Sequence, residues 1–91
     1  MASEDVRELI GRKRTLEILE LLSEQGTLNY SEIEDTIDSS SETISTALKL
    51  LVNHGLIQRI ERSARNVQYE STESGNELLD TLEEIERILS D

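Results

Sequence analysis

The clearest pattern in the chain is an apolar stripe near its middle, where apolar side chains recur at steps of three and four residues. This spacing is typical of an amphipathic helix with one buried face. Before the stripe, either Ser39 with Glu42 or Ser40 with Thr43 can form the N-cap. Gly55 follows it, and glycine readily adopts the left-handed conformation that ends a helix. The buried stripe of this predicted helix consists of Ile44, Ala47, Leu48, Leu51 and Val52.

Two strand-like runs come directly after this helix, Leu56 to Ser63 and Val67 to Thr72. Each alternates apolar and polar side chains, and a turn over Ala64, Arg65 and Asn66 separates them. This pattern predicts a β-hairpin. A capped helix followed at once by a hairpin is typical of a winged helix-turn-helix, so the wing is expected at residues 56–72.

Three further helical patterns lie before this helix in the chain. Asn29 and Glu32 have the spacing of a capping box for a helix over Tyr30 to Ile37. Upstream lie a short first helix with one apolar side and a mostly buried second helix that ends near Gly26. The predicted fold class is mostly α with a small β-hairpin, a winged helix-turn-helix with dimerisation helices at both ends. The 91 residues are expected to form one domain, 1–91.

The last predicted helix, over residues 73–90, can be capped by Thr72 and has apolar residues spaced four, three and four apart. That spacing is typical of a coiled-coil seam. The seam could instead pack inside its own domain. However, it holds more apolar residues than the thin core of so small a chain can use, which favours dimerisation. The seam consists of Leu78, Leu82, Ile85 and Leu89, with Leu79 and Ile88 alongside.

The charge balance changes this picture, because the net charge is −11 and a nucleic-acid binder is usually basic. Lysine is rare, acidic residues occur throughout, and Phe and Trp are missing, which indicates adaptation to high intracellular salt. At about 1 M salt the Debye length is about 3 Å, so a global charge hardly repels a duplex. From Lys49 to Tyr69, four basic residues stand against Glu61, a net of +3, and the remainder carries −14.

These basic residues adjoin candidate DNA contacts. In a helix-turn-helix, hydroxyls on the exposed face of the second helix can bond base edges or phosphates in the major groove. Arginines in a wing can contact phosphates or the minor groove. The alternatives without DNA binding are a solvated polar helix and a solvated hairpin. The candidates are Ser41, Glu42, Ser45, Thr46 and Lys49 in the helix, and Arg59, Arg62, Arg65 and Asn66 in the wing.

Several other kinds of site are excluded or disfavoured. With no Cys and one His, neither a disulfide nor a zinc cluster is expected. The carboxylates at residues 32–38 are interpreted as a solvated face, and the basic cluster at 12–14 as either a solvated helix start or a phosphate contact. No phosphate-binding loop or nucleophile motif is present, so we expect no enzyme, no cofactor and no small-molecule ligand. Without a span of roughly 20 apolar residues or a signal peptide, a cytoplasmic protein with no membrane partner is expected.

Four stretches resemble the HxlR-type winged-helix transcriptional regulators, themselves similar to the MarR group. They are LIGRKRTLEILELL, LNYSEIEDTI, SSSETISTALKLLVNHGLIQR and YESTESGNELLDTLEEI, the last in place of the family's Tyr-x-Leu-Thr-x-x-Gly-x-x-Leu. The resemblance implies a homodimer built from terminal helices, with recognition helices in successive major grooves of double-stranded DNA. By position, the DNA contacts are Ser40, Ser41, Glu42, Thr43, Ser45, Thr46, Lys49, Arg62, Arg65 and Asn66. The expected dimer interface is Val6, Leu9, Ile10, Leu78, Leu82, Ile85 and Leu89.

Two departures from the family pattern stand out. The chain lacks the cysteine that the family often carries near its amino terminus, and Glu42 stands where a basic or neutral residue is common. The sequence therefore predicts a dimeric, sequence-specific DNA-binding transcription regulator from a salt-adapted archaeal cell. The rival prediction is a winged helix used for protein contacts, whose acidic surface docks a basic partner.

Overall fold

A computed structural model describes residues 4–90, apart from the side chains of Asp5 and Ile10. Helices and a small antiparallel sheet make up this range, which confirms the predicted fold class. None of the helices in this range has an apolar stretch of the length that a bilayer-spanning helix needs. In chain order the elements are α1 (Glu4–Ile10), α2 (Lys13–Gln25), β1 (Leu28–Asn29), α3 (Tyr30–Thr36), α4 (Ser41–Asn53), β2 (Ile57–Ser63), β3 (Asn66–Ser71) and α5 (Glu73–Ser90).

The three strands form one antiparallel sheet in the order β1-β3-β2, so that β3 lies in the centre. The predicted hairpin of β2 and β3 is present, but its turn is shorter than predicted. Asn66 pairs with Ser63 and belongs to β3, which leaves only Ala64 and Arg65 in the turn. The register shifts between Glu61 and Ser63, and this bulge absorbs one extra residue of β2.

Both ends of α4 are fixed by the residues that the sequence singled out. The backbone N–H of Thr43 donates to Ser40 Oγ at 3.2 Å, so the second of the two predicted N-caps is the one that forms. Gly55 has a φ of 70°, and the N–H of Leu56 donates to the Leu51 carbonyl at 3.0 Å. This is the glycine-terminated helix end that the sequence predicts.

The start of α3 is a complete capping box. Asn29 Oδ1 accepts a bond from the Glu32 N–H, and Glu32 Oε1 accepts one from the Asn29 N–H, both at 2.9 Å. The helix ends at Thr36, one residue earlier than predicted, and the following Ile37 is buried. The reciprocal bonds confirm the predicted capping box and fix where α3 begins beside the sheet.

The core lies between α2, α4 and the sheet. Thr15 is also buried there, although the apolar pattern of α2 does not predict a buried polar residue. Val52, predicted on the buried stripe of α4, is only half-buried, because it lies at the edge of that stripe. The buried apolar residues are Leu9, Ile18, Leu19, Leu22, Ile33, Ile37, Ile44, Ala47, Leu48, Leu51, Leu56 and Ile57.

The first turn of α5 is joined to the end of α4. Thr72 Oγ1 accepts a bond from the Gly75 N–H at 3.2 Å, which confirms the predicted cap, and donates to the Gly55 carbonyl at 2.6 Å. Gly75 is buried, and a Cβ there would lie 2.1 Å from the Leu56 carbonyl oxygen. The backbones of α5 and of the segment before β2 can approach this closely only because residue 75 has no side chain.

The distal part of α5 is very different. Ile85 is 42% exposed, Ile88 59% and Leu89 78%. Leu78 and Leu79, nearer its start, are half-buried and pack against the chain's own core. Among the other residues of the predicted interface, Leu82 is half-buried, Leu9 belongs to the chain's own core and Val6 is exposed, while the side chain of Ile10 lies outside the described residues.

Candidate nucleic-acid interface

The polar side of α4 faces away from the core and forms a continuous outer stripe. Glu42, Thr46, Lys49 and Asn53 are all exposed, and their spacing of four, three and four residues places them on one face of the helix. Ser45 lies beside this stripe and is half-buried. Asn53 was not among the candidates predicted from the sequence, although the same spacing, continued from Lys49, would have identified it.

Most hydroxyls at the start of α4 already have partners. Ser40 Oγ donates to Thr43 Oγ1 at 2.9 Å in addition to capping the helix. Ser41 Oγ donates to Glu34 Oε2 at 2.5 Å, and Ser45 Oγ lies 3.4 Å from Tyr30 Oη. A hydroxyl has one donor but two acceptor positions. Ser41 can therefore accept a bond from a base while it keeps its contact with Glu34.

The charge along α4 changes sign from its beginning to its end. Glu42 lies in the first turn, where a carboxylate stabilises the positive end of the helix dipole, and Glu34 of α3 lies close by. Lys49 stands two turns further along the outer stripe. Phosphate attraction on this side of the molecule therefore depends on Lys49 and on the wing.

The three arginines of the wing lie in different places. Arg65 is exposed in the turn at the tip. Arg62 Nε donates to Gln68 Oε1 at 3.0 Å, whereas Arg59 stands opposite Tyr69 on β3. Arg59 Nη1 also lies 3.6 Å from Glu61 Oε2. Since side chains alternate along a strand, the Gln68 and Tyr69 sides of the hairpin are opposite faces, and the arginines do not form one cluster.

A cavity of about 420 Å³ lies between the outer side of α4 and the sheet. It is open to solvent and brings Lys49 and Asn53 of the outer stripe together with Arg59 of the wing. The polar side of α4 and one face of the wing therefore flank a single groove on the same side of the molecule. The cavity is lined by Tyr30, Ser45, Leu48, Lys49, Val52, Asn53, Arg59 and Tyr69.

Two of the three cations in the basic cluster at residues 12–14 are paired with carboxylates of the chain. Arg14 Nη1 lies 3.0 Å from both carboxylate oxygens of Glu17, and Arg12 Nη2 lies 3.7 Å from Glu8 Oε1. These pairs favour the interpretation as a solvated helix start over a phosphate contact. In the described part of the chain, no group of three or more His, Cys, Asp or Glu is arranged to hold a metal ion.

Comparison with protein families agrees with this geometry, because the family model for HxlR-like helix-turn-helix proteins matches residues 9–91. The chain belongs to the HxlR-like helix-turn-helix family. An uncharacterised protein of Methanocaldococcus jannaschii is 32% identical to this HxlR-like chain over 85 residues, which cover 89% of this chain and 70% of the relative.

Solved structures show the same HxlR-like fold. One from Thermoplasma volcanium, described as a possible HxlR family transcriptional factor, is 32% identical with a TM-score of 0.73. The match covers 99% of this chain and 83% of that one. The reduced form of the transcriptional regulator YodB from B. subtilis is 24% identical with a TM-score of 0.77 over 96% of this chain and 90% of that one. HxlR-like proteins are transcription regulators and not enzymes.

Proposed function

We propose that this chain is a sequence-specific DNA-binding transcription regulator that acts as a homodimer. The recognition helix α4 enters the major groove, and the wing lies along the adjacent backbone. The observation that supports this most is the shared groove, where Lys49 of α4 and Arg59 of the wing lie on one side of an otherwise acidic chain. The proposed contacts are Arg59, which lines the groove, together with Ser40, Ser41, Glu42, Thr43, Ser45, Thr46, Lys49, Arg62, Arg65 and Asn66.

The proposed contacts differ in their exposure and in the hydrogen bonds that they already make within the chain. Thr46, Lys49 and Arg65 are exposed, and we assign them the principal contacts to bases and phosphates. Ser40 and Thr43 are bonded to each other, and their role is chiefly to fix the start of α4. Glu42 can accept a bond from a cytosine amino group, and at other bases it disfavours binding.

The proposed dimer uses the exposed distal end of α5. Ile85, Ile88 and Leu89 form an apolar end on a helix whose other face is charged, and a second copy of the chain would cover it. The proposed interface adds Val6, Ile10, Leu78 and Leu82 to these three residues, and it leaves out Leu9, which is buried in the chain's own core. Two-fold symmetry would place the two recognition helices on half-sites about 34–36 Å apart.

The acidic composition suggests the setting in which this regulator works. We propose a salt-adapted, haloarchaeal cell, in whose cytoplasm residues 1–91 act as one winged-helix domain. There the net charge of −11 would be screened, and the local charge near α4 and the wing would decide binding. We expect a weak dependence of affinity on salt, because acidic side chains near the duplex take up cations as phosphates release theirs.

The test begins with selection of a binding site from a random double-stranded DNA library in about 1 M KCl. Fluorescence anisotropy then gives the dissociation constant of the selected duplex as KCl is varied. Lys49→Glu and the double variant Arg62→Glu/Arg65→Glu should each weaken binding roughly tenfold or more, because they place carboxylates against phosphates. Arg7→Glu in α1, which does not line the groove, is the matched control and should bind as the original chain does.

The rival function is a winged helix that docks a basic protein partner through its acidic surface. The carboxylates of Glu42 in the first turn of α4 and of Glu34 in the adjacent α3 favour it, since this end of α4 would meet the polyanion first. Failure to select any sequence, or unchanged affinity in the wing variant, would support the rival. A steep loss of binding between low and molar KCl would instead contradict the proposed salt adaptation.

A further inference from the structure

The cavity between α4 and the sheet holds every large aromatic side chain of the protein. The sequence has two Tyr and no Phe or Trp, and Tyr30 of α3 and Tyr69 of β3 both line this cavity. Leu48 and Val52 of α4 complete its apolar wall. Both tyrosines are half-buried and pack against the core, so their positions are fixed by the fold. These four side chains form an apolar surface beside a helix that is otherwise polar on its outer side.

Two cations stand at the same cavity on different elements. Lys49 comes from α4 and Arg59 from β2. Arg59 is paired with Glu61 at 3.6 Å, but both side chains are about half exposed, and such surface pairs contribute little. Among the described residues, Lys49 takes part in no ion pair. A ligand carboxylate could therefore bind both cations at small cost, with a charge-assisted bond to the guanidinium.

Size and polarity also fit a small ligand. The volume of about 420 Å³ falls within the roughly 300–1,000 Å³ that is usual for small-molecule pockets. Ser45 and Asn53 add a hydroxyl and an amide at the wall formed by α4. A mostly apolar surface with a few convergent polar groups is the usual composition of such a site.

We propose that this cavity binds a small organic anion with an apolar body. Its carboxylate lies between Lys49 and Arg59, and its body lies against Tyr30 and Tyr69. A phosphate of the DNA backbone could also meet the two cations, but it has no apolar group to place against the tyrosine rings. The amino-acid sequence alone predicts no such ligand.

Such a ligand would compete with DNA. Ser45 and Lys49 line the cavity and are also among the proposed DNA contacts, so one occupant excludes the other from these side chains. This competition rests on the proposed function, whereas ligand binding itself does not. The experiment therefore measures the two separately.

The first measurement is an NMR titration of the full chain with 2-naphthoate, with the neutral 2-naphthamide as the matched control. The aromatic side-chain signals of this protein come only from Tyr30, Tyr69 and His54, and Tyr30→Phe assigns the tyrosines. The titration uses the lowest KCl concentration at which circular dichroism shows the folded chain, so that screening is small. We expect saturable shifts of both tyrosines with 2-naphthoate and about tenfold weaker binding of 2-naphthamide.

Variants then test the two cations. Lys49→Gln/Arg59→Gln should weaken 2-naphthoate binding about tenfold or more, since the charge-assisted bonds are lost. Glu61→Gln should tighten it, because the competing carboxylate is removed from Arg59. Arg87→Gln, on the distal part of α5, should leave it unchanged. No saturable shift of the tyrosines at millimolar 2-naphthoate, equal binding of 2-naphthamide, or full affinity in the double variant would overturn the proposal.

The second measurement repeats the DNA titration with saturating 2-naphthoate. A weaker affinity for the selected duplex supports the competition, and an unchanged affinity with the cavity occupied contradicts it. If no duplex is bound at all while 2-naphthoate still shifts both tyrosines, the proposed function fails and the ligand site stands. If the selected duplex is bound but 2-naphthoate shifts neither tyrosine, the ligand site fails and the proposed function stands.

Discussion

The two halves of α5 have the same apolar spacing but opposite environments. Near its start, Gly75 is buried against the Leu56 carbonyl, and Leu78 and Leu79 pack against the chain's own core. Near its end, Ile88 and Leu89 face solvent in the single chain. One helix thus completes its own domain at one end and offers an unpaired apolar surface at the other. A regular apolar pattern alone does not distinguish these two uses.

The largest effect is expected from adding a side chain at Gly75, which tests the close packing of the proximal half of α5. In Gly75→Ala the new Cβ would lie 2.1 Å from the Leu56 carbonyl oxygen and 3.0 Å from Leu19 Cδ1. Because the first contact is with backbone, no rotamer change can relieve it. We expect a loss of about 3 kcal/mol or more in the free energy of unfolding, measured by urea denaturation.

The control for this variant is Ser74→Ala. Ser74 is the preceding residue of α5 and is exposed, so its replacement should change the free energy of unfolding by less than about 0.5 kcal/mol. A Gly75→Ala protein that unfolds at the same urea concentration as the control would show that α5 does not pack this closely.

The distal half is tested by making its exposed end polar. In the triple variant Ile85→Ser, Ile88→Ser and Leu89→Ser, we expect the proposed dimer to dissociate roughly 100-fold more readily, because apolar area is no longer buried between the two chains. Sedimentation equilibrium would show the mass falling from twice 10.3 kDa towards 10.3 kDa as the protein is diluted. The folded structure of the single chain should survive, since these side chains contribute little to its own core.

Glu86→Gln serves as the matched control on the same part of α5, because it changes an exposed side chain without changing apolar area. It should leave the dissociation constant nearly unchanged. If the triple variant keeps the mass of the original protein at every concentration, the distal half is not the surface at which the chains pair.

The smallest expected effect concerns the cap at the proximal end. Thr72→Val removes both the bond to the Gly75 N–H and the bond to the Gly55 carbonyl, and should cost about 1 kcal/mol of unfolding free energy. Thr72→Ser keeps the hydroxyl and should stay close to the original stability. Thermal denaturation followed by circular dichroism compares the two variants. Equal stability of both would mean that the hydroxyl does not hold α5 in place.

Local signals in the sequence were sufficient to predict the helix ends. Ser40, Gly55 and the pair Asn29 and Glu32 all act where their spacing places them, because a cap involves residues only a few positions apart. The sheet was harder to predict. β1 has two residues, which are too few to show a period, and it pairs with β3 some forty positions later in the chain. The position of Asn66 depended on a bulge in β2 that has no sequence signature here.

The candidate site was predictable as a set of polar positions but not as a set of contacts. The spacing placed Thr46 and Lys49 on the outside of α4, where they are found. The bond from Ser41 to Glu34 links two helices, so periodicity within one helix could not predict it. The groove itself brings together Tyr30, Arg59 and Tyr69 from three elements, and only tertiary packing determines that they meet.

The hydroxyl of Thr72 has one more consequence, because it ties the end of α4 to the beginning of α5. We expect two helices joined in this way to turn together. In a pair of chains, the angle at which the two α5 helices cross would therefore set the separation of the two α4 helices. A signal that altered this crossing angle could change which spacing of half-sites fits, without touching any residue that contacts DNA.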